Sequence, residues 1–468
     1  MQITRRQFAG TLAATQASAA DRKPNIIWIM ADDLGIGDLG CYGQKHIRTP
    51  NIDKIAAEGM RFTEAYAGCT VCAPSRSVLM TGKHMGHTTV RSNPGGVPLE
   101  EGDITVAQLL KQAGYTTGGY GKWGLGDIGT TGVPSKKGFD EFYGYLNQVH
   151  AHFFYPRILV HNEKEVPLPG NENGKRTTYS HDAIAEKALA FIRRSASGPF
   201  FCYVPFTVPH LELLVPEDSI AEYRGKITEA EPFIDPRKHY ADQREPRACY
   251  AGMVTRMDRD IGRIMALLKE LRIDENTIVF FTSDNGGAVK LWGGDYFQST
   301  GPYRGRKTDL YEGGIRTPML ARWPKKIKAG SLSKHPWYFA DFMATAAEIA
   351  GVKTPPNDGI SVLPALLGKK QRTHDYLYWE LPRYEGTATG RFRKELPMQA
   401  ARMGEWKAVR PKPDAAVELY NLKDDIGETK DLATQRPEIL KKMEEILRIA
   451  HEEPHPQTEP RARYWEKA

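Results

Sequence analysis

The sequence predicts an α/β fold, in which a large mixed, mostly parallel sheet is flanked by helices and followed by a smaller C-terminal α+β subdomain. Four short apolar runs, residues 26–30, 116–120, 200–206 and 277–281, have the length and continuous hydrophobicity of strands that are buried on both faces. Helical patterns precede the last two runs, and this alternation is typical of parallel sheets. The 468 residues suffice for one large α/β domain and a smaller second unit.

The helices between the strands are predicted from apolar residues at helical spacing. Residues 181–194 carry such a pattern before the third run, and residues 252–271 carry another before the fourth. A crossover helix is the usual connection between parallel strands, so both patterns support the parallel arrangement.

The sequence changes in character near residue 372. Residues 375–381, 398–410 and 417–422 are predicted as three strands with turn residues between them. Residues 437–451 then carry apolar side chains at helical spacing. These elements predict a C-terminal subdomain, built from an antiparallel sheet and a helix, over residues 372–468.

The N-terminus resembles an export signal. Residues 4–8, Thr-Arg-Arg-Gln-Phe, resemble a twin-arginine motif, and the small, weakly apolar stretch that follows ends near Ala17-Ser18-Ala19, which fits a cleavage site. The alternative is a disordered basic tail. We predict a signal over residues 1–20, a main domain over residues 21–371, and a periplasmic or secreted location.

Composition excludes several classes of protein. Net charge is +7, but the basic residues are spread along the chain without a stripe of interleaved aromatics, so nucleic acid is not an expected partner. No apolar run approaches the roughly 20 residues of a membrane helix, so we expect no membrane span. The 5 cysteines are too few for a disulfide framework, and an exported chain with an odd cysteine can use it for chemistry.

Polar residues follow each of the four predicted strands within a few positions. In chain order these residues are Asp32 and Asp33, Lys122, His210, and Asp284 with Asn285. Ligands of open α/β sheets bind at the carboxyl ends of the strands, so these side chains describe one shared site.

The acidic members of this set predict a metal site. Asp32, Asp33, Asp284 and Asn285 offer oxygen ligands without a Cys-His cluster, which selects a hard cation such as Ca²⁺ or Mg²⁺. Three carboxylates in one crevice would repel each other strongly without a cation. Taken singly, an Asp pair can cap a helix and Asn-Gly can mark a turn, so the prediction depends on the combination.

Residues 72–76, Cys-Ala-Pro-Ser-Arg, are the most informative motif. Residues 75–81 are predicted as a short helix that ends at Gly82, which places Cys72 at the positive end of the helix dipole. Arg76 lies four residues on, so its guanidinium shares a helix face with Cys72 and suits an oxyanion substrate. A buried structural cysteine, or a disulfide with Cys69, is the alternative.

This motif resembles the signature of the sulfatase family, Cys-x-Pro-x-Arg, in which a maturation enzyme oxidises the cysteine to formylglycine. The resemblance runs through nearly the whole mature chain, roughly residues 23–446. The other stretches that carry it are Pro24-Asn25-Ile26-Ile27 with Asp32-Asp33, Thr49-Pro50-Asn51-Ile52-Asp53, Gly121-Lys122-Trp123, Ser283-Asp284-Asn285-Gly286, Lys307 with Tyr311-Glu312-Gly313-Gly314, and Glu418-Leu419-Tyr420-Asn421-Leu422.

The resemblance implies a role for each site residue. It implies that Asp32, Asp33, Asp284 and Asn285 bind Ca²⁺ together with an oxygen of modified Cys72, and that one hydroxyl of hydrated formylglycine attacks sulfur. It further implies that the remaining residues neutralise the sulfate oxygens or, in the case of the histidine, protonate the leaving alcohol. These residues are Arg76, Lys122, Lys307 and His210.

One position departs from the family pattern. The family commonly has Gly-Lys-Trp-His-Leu-Gly, with the histidine helping to orient the formylglycine, whereas residues 121–126 are Gly-Lys-Trp-Gly-Leu-Gly. Gly124 cannot supply an imidazole. The histidines that could substitute for it are His84, His87, His150 and His152. The departure bears on efficiency or detailed mechanism more than on the class of reaction.

Two stretches, residues 138–152 and 212–247, are predicted as loops over the cleft. The first, with the residues just after it, holds many aromatics, and aromatic faces with polar neighbours suit a sugar ring; the alternative is that these aromatics pack under the loops. We predict a sulfated glycan as substrate, with a galactose-type unit. His150 and His152 are predicted to contact it.

Two other functions stay open on the sequence alone. A phosphate or phosphonate ester hydrolase of the same superfamily could share the metal and the formylglycine, although the sequence shows no surplus Asp/His set for a second metal. A non-catalytic glycan-binding relative would fit Gly124, whereas the retained cysteine, cations and histidine argue against it.

Overall fold

A computed structural model describes residues 22–93, 97–288, 296–382 and 396–454 of the chain. The predicted export signal lies outside the described residues. Within these ranges, no helix combines the length and the apolar character needed to cross a membrane.

The strands of the described residues form one large sheet, one short pair and one small sheet. In chain order they are β1 Asn25–Ala31, β2 Met60–Phe62, β3 Ala65–Tyr66, β4 Thr116–Lys122, β5 Glu141–Tyr145, β6 Ile158–His161, β7 Lys164–Pro167, β8 Phe200–Pro205, β9 Thr277–Ser283, β10 Met319–Arg322, β11 Ser331–Ser333, β12 Trp337–Tyr338, β13 Leu377–Leu381, β14 Met398–Met403, β15 Trp406–Arg410 and β16 Glu418–Asn421.

The helices cover both faces of the large sheet and one face of the small one. In chain order the α-helices are α1 Pro50–Glu58, α2 Cys72–Thr81, α3 Val106–Gln112, α4 Ser180–Ser195, α5 Glu217–Ala221, α6 Pro246–Glu270, α7 Glu312–Ile315, α8 Asp341–Ala350, α9 Leu363–Leu366 and α10 Pro437–Ile449.

The large sheet has ten strands in the order β11-β2-β10-β9-β1-β8-β4-β5-β6-β7. Its centre, from β9 to β5, is parallel throughout, and antiparallel strands flank it on both sides. The mixed, mostly parallel sheet is therefore confirmed. The four strands predicted from apolar runs are four neighbours, β9, β1, β8 and β4, so their carboxyl ends lie side by side.

Burial on both faces explains why these central strands are continuously apolar. Along β1, Trp28 faces a core layer with Phe280 and Phe342, whereas Ile27 faces a second layer with Phe281 and Met257. Every residue of β1 and β9 is buried. A strand with solvent on one face would alternate between apolar and polar residues, and these do not.

The C-terminal unit is a four-stranded antiparallel sheet, β13-β14-β15-β16, with α10 packed on it through Met443, Ile446 and Leu447. The prediction of a single strand over residues 398–410 is wrong. The structure divides it into β14 and β15, which pair as a hairpin. The turn contains Gly404 at φ +59°, a left-handed conformation that glycine adopts readily.

Candidate active site

Residues that are far apart in sequence meet at the carboxyl edge of the large sheet. Asp32 and Asp33 follow β1, Lys122 ends β4, and Asp284 with Asn285 follows β9. All five are buried, and Asp33 has a left-handed φ of 66°, which turns the chain sharply after the strand. The shared site that the strand ends predict is therefore present as a geometric cluster.

Helix α2 delivers Cys72 and Arg76 to this edge. The helix begins at Cys72, three residues earlier than predicted, and ends before Gly82, which caps it at φ +69°. Ser75 fixes the helix start, because its Oγ accepts from Gly68 N at 3.0 Å and donates to the Asp284 carbonyl at 2.5 Å. Arg76 is fully buried beside it.

Cys72 lies between an acid and a cation. Its Sγ is 3.3 Å from Asp32 Oδ1 and 3.4 Å from Lys307 Nζ. Burial raises the pKa of the Cys72 thiol above its ordinary value, and Asp284 and Asp32 raise it further. Because the thiolate is the reactive form of cysteine, the unmodified side chain is a poor nucleophile here. All five cysteines, Cys69 among them, are free thiols.

Three buried or nearly buried cations surround Cys72. Arg76 donates to Asp284 Oδ2 from Nε at 3.1 Å and from Nη2 at 2.7 Å, and its Nη1 donates to the Lys122 carbonyl at 2.6 Å. Lys122 Nζ lies 2.5 Å from Asp32 Oδ2. Lys307 Nζ lies 2.7 Å from Asp33 Oδ1. Each of the three cations thus forms an ion pair with one of the carboxylates near Cys72.

The acidic residues and Asn285 form a set of converging oxygens. Asn285 Nδ2 donates to Asp33 Oδ1 at 2.8 Å, and the Asp33 amide donates to Asp284 Oδ1 at 3.2 Å. Asn285 Oδ1 is buried and has no hydrogen-bond partner among the described residues. Burial raises the pKa of Asp32, but Lys122, His210 and Arg76 outweigh it and lower the pKa to about 2. Ligand atoms of Asp32, Asp33, Cys72 and His210 lie within 4.8 Å of one another.

His210 closes the site on one side. Its Nε2 lies 3.4 Å from Asp33 Oδ2, and its Nδ1 contacts the Leu211 carbonyl. Burial lowers the pKa of His210, and Lys307 lowers it further, more than the neighbouring carboxylates raise it. The ring stacks on that of His152 with centroids 4.0 Å apart. Nε2 is therefore the nitrogen that faces the acidic cluster.

Comparison with known proteins assigns the chain to a family. The Sulfatase family model matches residues 24–352, and the model of the N-sulphoglucosamine sulphohydrolase C-terminal region matches residues 305–453. The chain belongs to the sulfatase family. It is a sulfuric ester hydrolase, and the cluster described above coincides with the motifs by which its sequence resembles that family.

Several relatives of this sulfatase are named for the sulfated compounds on which they act. It is 33% identical over 393 residues to human N-acetylgalactosamine-6-sulfatase, covering 78% of this chain and 69% of the relative. It is 30% identical to an N-acetylgalactosamine-6-O-sulfatase of Bacteroides thetaiotaomicron, covering 91% of this chain and 93% of that one. The solved structure of Ps i-CgsB in complex with k-i-k-neocarrahexaose superposes with a TM-score of 0.76 at 31% identity, covering 92% of this chain and 93% of that one.

The two histidines that were predicted to contact substrate lie in different surroundings. His152 stands against His210; its Nδ1 is 3.0 Å from the Tyr240 hydroxyl and its Nε2 has no hydrogen-bond partner among the described residues. His150 is buried, its ring packs edge-on against Tyr145 at 4.8 Å, and burial lowers its pKa to about 3. The structure brings His152 into the site of the sulfatase, whereas His150 packs against Tyr145 of β5.

The aromatics of residues 138–155 are mainly part of the core. Phe142, Tyr143 and Tyr145 belong to β5, which was predicted as part of a loop, and all three are buried, as is Phe154. These four side chains pack under the loops of the sulfatase, which confirms the packing alternative for them. A strand was missed because Gly144 and polar Glu141 interrupt the apolar pattern.

His84 and His87, two candidates to replace the missing histidine at Gly124, lie beyond the far end of α2 from Cys72. The two rings stack on each other at 4.0 Å, and His87 Nδ1 pairs with Asp358 at 2.9 Å. Helix α2 rises about 1.5 Å per residue, so its ten residues hold these histidines well away from the reacting position.

Two polar residues of the site were not identified from the sequence. Tyr240 contacts His152, and Gln148 lies against Gly124. Neither residue carries a motif, and Gln148 follows the end of β5, a strand that the sequence analysis did not identify. The resemblance of the Gly121–Gly126 stretch, which lacks a histidine, indicated only that a histidine elsewhere in the chain could substitute for it.

Proposed function

We propose that this sulfatase removes O-sulfate from a carbohydrate, with Ca²⁺ as its cofactor and with Cys72 in the formylglycine form. The observation that carries the proposal is the meeting of Cys72 with Arg76, Lys122 and Lys307 above a set of converging oxygens. A galactose-type sugar is supported by relatives named for N-acetylgalactosamine 6-sulfate and by the neighbouring structure with bound neocarrahexaose.

The residues present fit a Ca²⁺ ion. Asp32, Asp33, Asp284 and Asn285 would hold it, since Ca²⁺ prefers carboxylate and amide oxygens. The buried Oδ1 of Asn285, with no partner in the described parts of the chain, is an oxygen that such an ion would satisfy. A bound Ca²⁺ would offset the repulsion among the three carboxylates and supply positive charge to the sulfate oxygens.

The surroundings of Cys72 fit a modified side chain better than a thiol. The raised pKa of the thiol leaves it neutral, and neutral thiols are weak nucleophiles. Hydrated formylglycine would supply two hydroxyls on one carbon. One would act as the nucleophile toward sulfur, and the other would lose its proton and re-form the aldehyde as sulfate leaves with the first oxygen. Asp32 Oδ1 and Lys307 Nζ, both within 3.4 Å of Cys72 Sγ, would bind the oxygens of that group and orient it.

The three cations would stabilise charge on the sulfate oxygens, and His210 would transfer a proton. Arg76 and Lys122 are fixed by buried hydrogen bonds, so they present positive charge to the sulfate oxygens without reorganising during the reaction. Lys307 stands on the other side of Cys72. His210 Nε2 faces the acidic cluster, from where it would deliver a proton to the leaving alcohol oxygen.

The sugar would bind on the His210 side. His152 stacks on His210 and keeps an unpartnered Nε2 among the described residues, which suits a sugar hydroxyl. His150 is buried against Tyr145, so we assign the sugar contact to His152 and not to His150. Export through the predicted signal, and oxidation of Cys72 by a maturation enzyme of the host, complete the proposal.

Sulfate release from defined substrates tests this function. Protein from a host that makes formylglycine is given galactose 6-sulfate, N-acetylgalactosamine 6-sulfate, a carrageenan oligosaccharide and an aryl sulfate, and free sulfate is measured. We expect turnover of the aryl sulfate and of at least one sulfated galactose-type sugar. The matched controls are Cys72→Ala, which should be inactive, and Cys69→Ala, which should remain active. Sulfate release by Cys72→Ala at the wild-type rate would contradict the proposal.

A further inference from the structure

Gly124 opens a slot beside the reacting residue, and Gln148 fills it. Gly124 has φ +77°, a backbone conformation that residues other than glycine rarely adopt. A Cβ at this position would lie 2.8 Å from Gln148 Oε1 and 3.9 Å from the Cβ of Ala73, the residue after Cys72. A side chain at position 124 would therefore meet both backbone strain and the Gln148 amide. Glycine at one position and glutamine at the other form a matched pair.

The pairing of β4 with β5 places Gln148 at the edge of the site. Lys122 is opposite Tyr145, and the ladder continues beyond both strands, with Trp123 N donating to the Tyr145 carbonyl at 2.9 Å and Gly124 N to the Leu146 carbonyl at 3.0 Å. Gln148 comes two residues after Leu146. It thus lies at the same carboxyl edge as the Lys122 amine that contacts Asp32.

The Gln148 amide is buried and unused. The residue is 1% exposed, and neither Nε2 nor Oε1 has a hydrogen-bond partner among the described residues. Gln399 offers a contrast at 2% exposure, because its Nε2 donates to the Tyr378 hydroxyl at 2.7 Å and to the Leu447 carbonyl at 2.9 Å. Leaving a buried amide unsatisfied is unfavourable, so a ligand that satisfies it gains binding free energy.

We infer that Gln148 is a sulfate-binding residue of this enzyme, whose amide N–H donates to an oxygen of the sulfate group held beside Cys72. The inference rests on the proposed function. Arg76, Lys122 and Lys307 each already contact a carboxylate, whereas the amide has no competing partner in the described structure. Rotation of the amide exchanges its N and O within the same volume, so the donor can point toward the anion.

Because the Gln148 amide is neutral, its hydrogen bond to sulfate should depend on pH differently from that of an imidazole. An amide does not titrate between pH 5 and 8, so this contact with sulfate is independent of pH in that range. Gln148→His places a titrating ring in the slot. We expect the sulfate affinity of Gln148→His to fall as pH rises from 5.5 to 8, by several-fold more than that of the wild type, because only the protonated ring adds a charge.

Equilibrium binding of inorganic sulfate tests the inference directly. Calorimetry on the Ca²⁺-loaded, full-length enzyme gives the Kd, and thermal unfolding gives Tm. Gln148→Met keeps the length of the side chain and removes the donor. We expect its sulfate Kd and its kcat/KM for an aryl sulfate to worsen roughly 10- to 100-fold, the range for a hydrogen bond to a charged group, with Tm unchanged or higher. Gln148→Glu, of the same shape but charged, should lose more than that.

Gln399→Met is the matched control. It removes an amide whose bonds are satisfied, so Tm should fall while the sulfate Kd stays at the wild-type value. Sulfate binding by Gln148→Met and Gln148→Glu at the wild-type Kd would overturn the inference, as would a fall in Tm of Gln148→Met with no change in Kd. A wild-type enzyme that neither binds sulfate nor hydrolyses a sulfate ester would instead show that the proposed function itself is wrong.

Discussion

Two regions of this sulfatase bury clusters of opposite charges, and the two clusters differ in what they leave open. At the active site, Arg76, Lys122 and Lys307 face three aspartates. Where the C-terminal sheet meets the main body, Lys407 of β15 lies 2.9 Å from Glu312 and 2.8 Å from Glu428. The second cluster also uses Arg316, whose Nε lies 2.6 Å from Glu312 Oε2, and Arg402, which lies 2.5 Å from Glu64.

The polar atoms around the charges distinguish the two clusters. The second cluster, which we call the inter-unit cluster, also contains a backbone hydrogen bond, because the Glu312 amide donates to Glu428 Oε2 at 2.7 Å. Burial raises the pKa of Glu312, but Lys407 and Arg316 outweigh it, so Glu312 stays charged. Lys407 Nζ, Glu312 Oε1 and Glu428 Oε1 make no hydrogen bond among the described residues, but they are ion-paired with one another at 2.8–2.9 Å. At the active site, Asn285 Oδ1 and the Gln148 amide have neither a hydrogen bond nor an ion pair among the described residues. The comparison indicates that the inter-unit cluster serves stability and that the active site serves ligands.

Lys407→Met should break the inter-unit cluster. Removing the cation leaves buried Glu428 without its ion-pair partner and leaves Glu312 with Arg316 alone, and breaking a buried pair in this way costs about 3–5 kcal/mol of unfolding free energy. Urea unfolding measures the loss. The exposed Lys423, 3.8 Å from Glu405, is the matched control, and Lys423→Met should change stability by less than about 1 kcal/mol. Equal unfolding free energies of the two variants would contradict the stabilising role of the inter-unit cluster.

Lys307→Met should have the opposite signature. Charge stabilisation of this kind is worth roughly 10²- to 10³-fold in kcat, so turnover of an aryl sulfate should fall by about that factor. Lys307 faces Asp33 and Cys72 at the partly open side of the site, and Ca²⁺ would still neutralise Asp33, so Tm in Ca²⁺ should change little. Lys325→Met, at an exposed pair with Glu275, should leave both values unchanged. A large loss of Tm with full kcat for Lys307→Met would show a structural role.

Removal of Ca²⁺ tests the active-site cluster alone, and we expect a smaller effect than for the two substitutions above. A ligand at 100 times its Kd stabilises the folded state by about 2.7 kcal/mol, so EDTA should lower Tm and Ca²⁺ should restore it. Asn285→Ala should gain less from Ca²⁺ than the wild type. The control is Asn25→Ala, which loses a hydrogen bond to Thr277 away from the site and should keep the full gain. Identical Ca²⁺ gains for the two variants would contradict the metal assignment of Asn285.

The smallest effect concerns His451, which joins the end of α10 to the C-terminal sheet. A hydrogen bond to Glu380, with Nδ1 2.7 Å from Oε2, raises the pKa of His451 above 6.5. Its stabilising contribution is therefore complete below pH 6.5 and is lost as pH rises through the higher folded pKa. The Tm difference between wild type and His451→Gln should be larger at pH 5.5 than at pH 8.5, by at most about 2 °C. A larger difference at pH 8.5 would show that the charged form is not the stabilising one.

The predictable part of this enzyme is the part in which local pattern and long-range position coincide. Continuous apolar runs identified β1, β8 and β9 because strands buried on both faces carry no polar residues. The acids and the histidine after these runs followed from the rule that parallel strands end at one edge. Arg76 followed from helical spacing and Lys307 from resemblance alone.

The unpredictable part depends on contacts between distant segments. Gln148 meets Gly124 only because β5 pairs with β4, and β5 itself was not identified. The separation of His150 from His152 depends on which side of a short turn each ring lies, and two residues of sequence do not reveal it. The hairpin at Gly404 was missed because the apolar pattern continues on both sides of the turn.

Peptide mass spectrometry across residue 72, on protein from its native host, tests the proposed chemistry most directly. The account predicts a tryptic peptide with the mass of formylglycine at position 72, while Cys69 in the same region remains an unmodified thiol. It further predicts that the fraction of modified protein is proportional to sulfatase activity across preparations. An unmodified thiol at position 72 in a preparation with full activity would contradict the account.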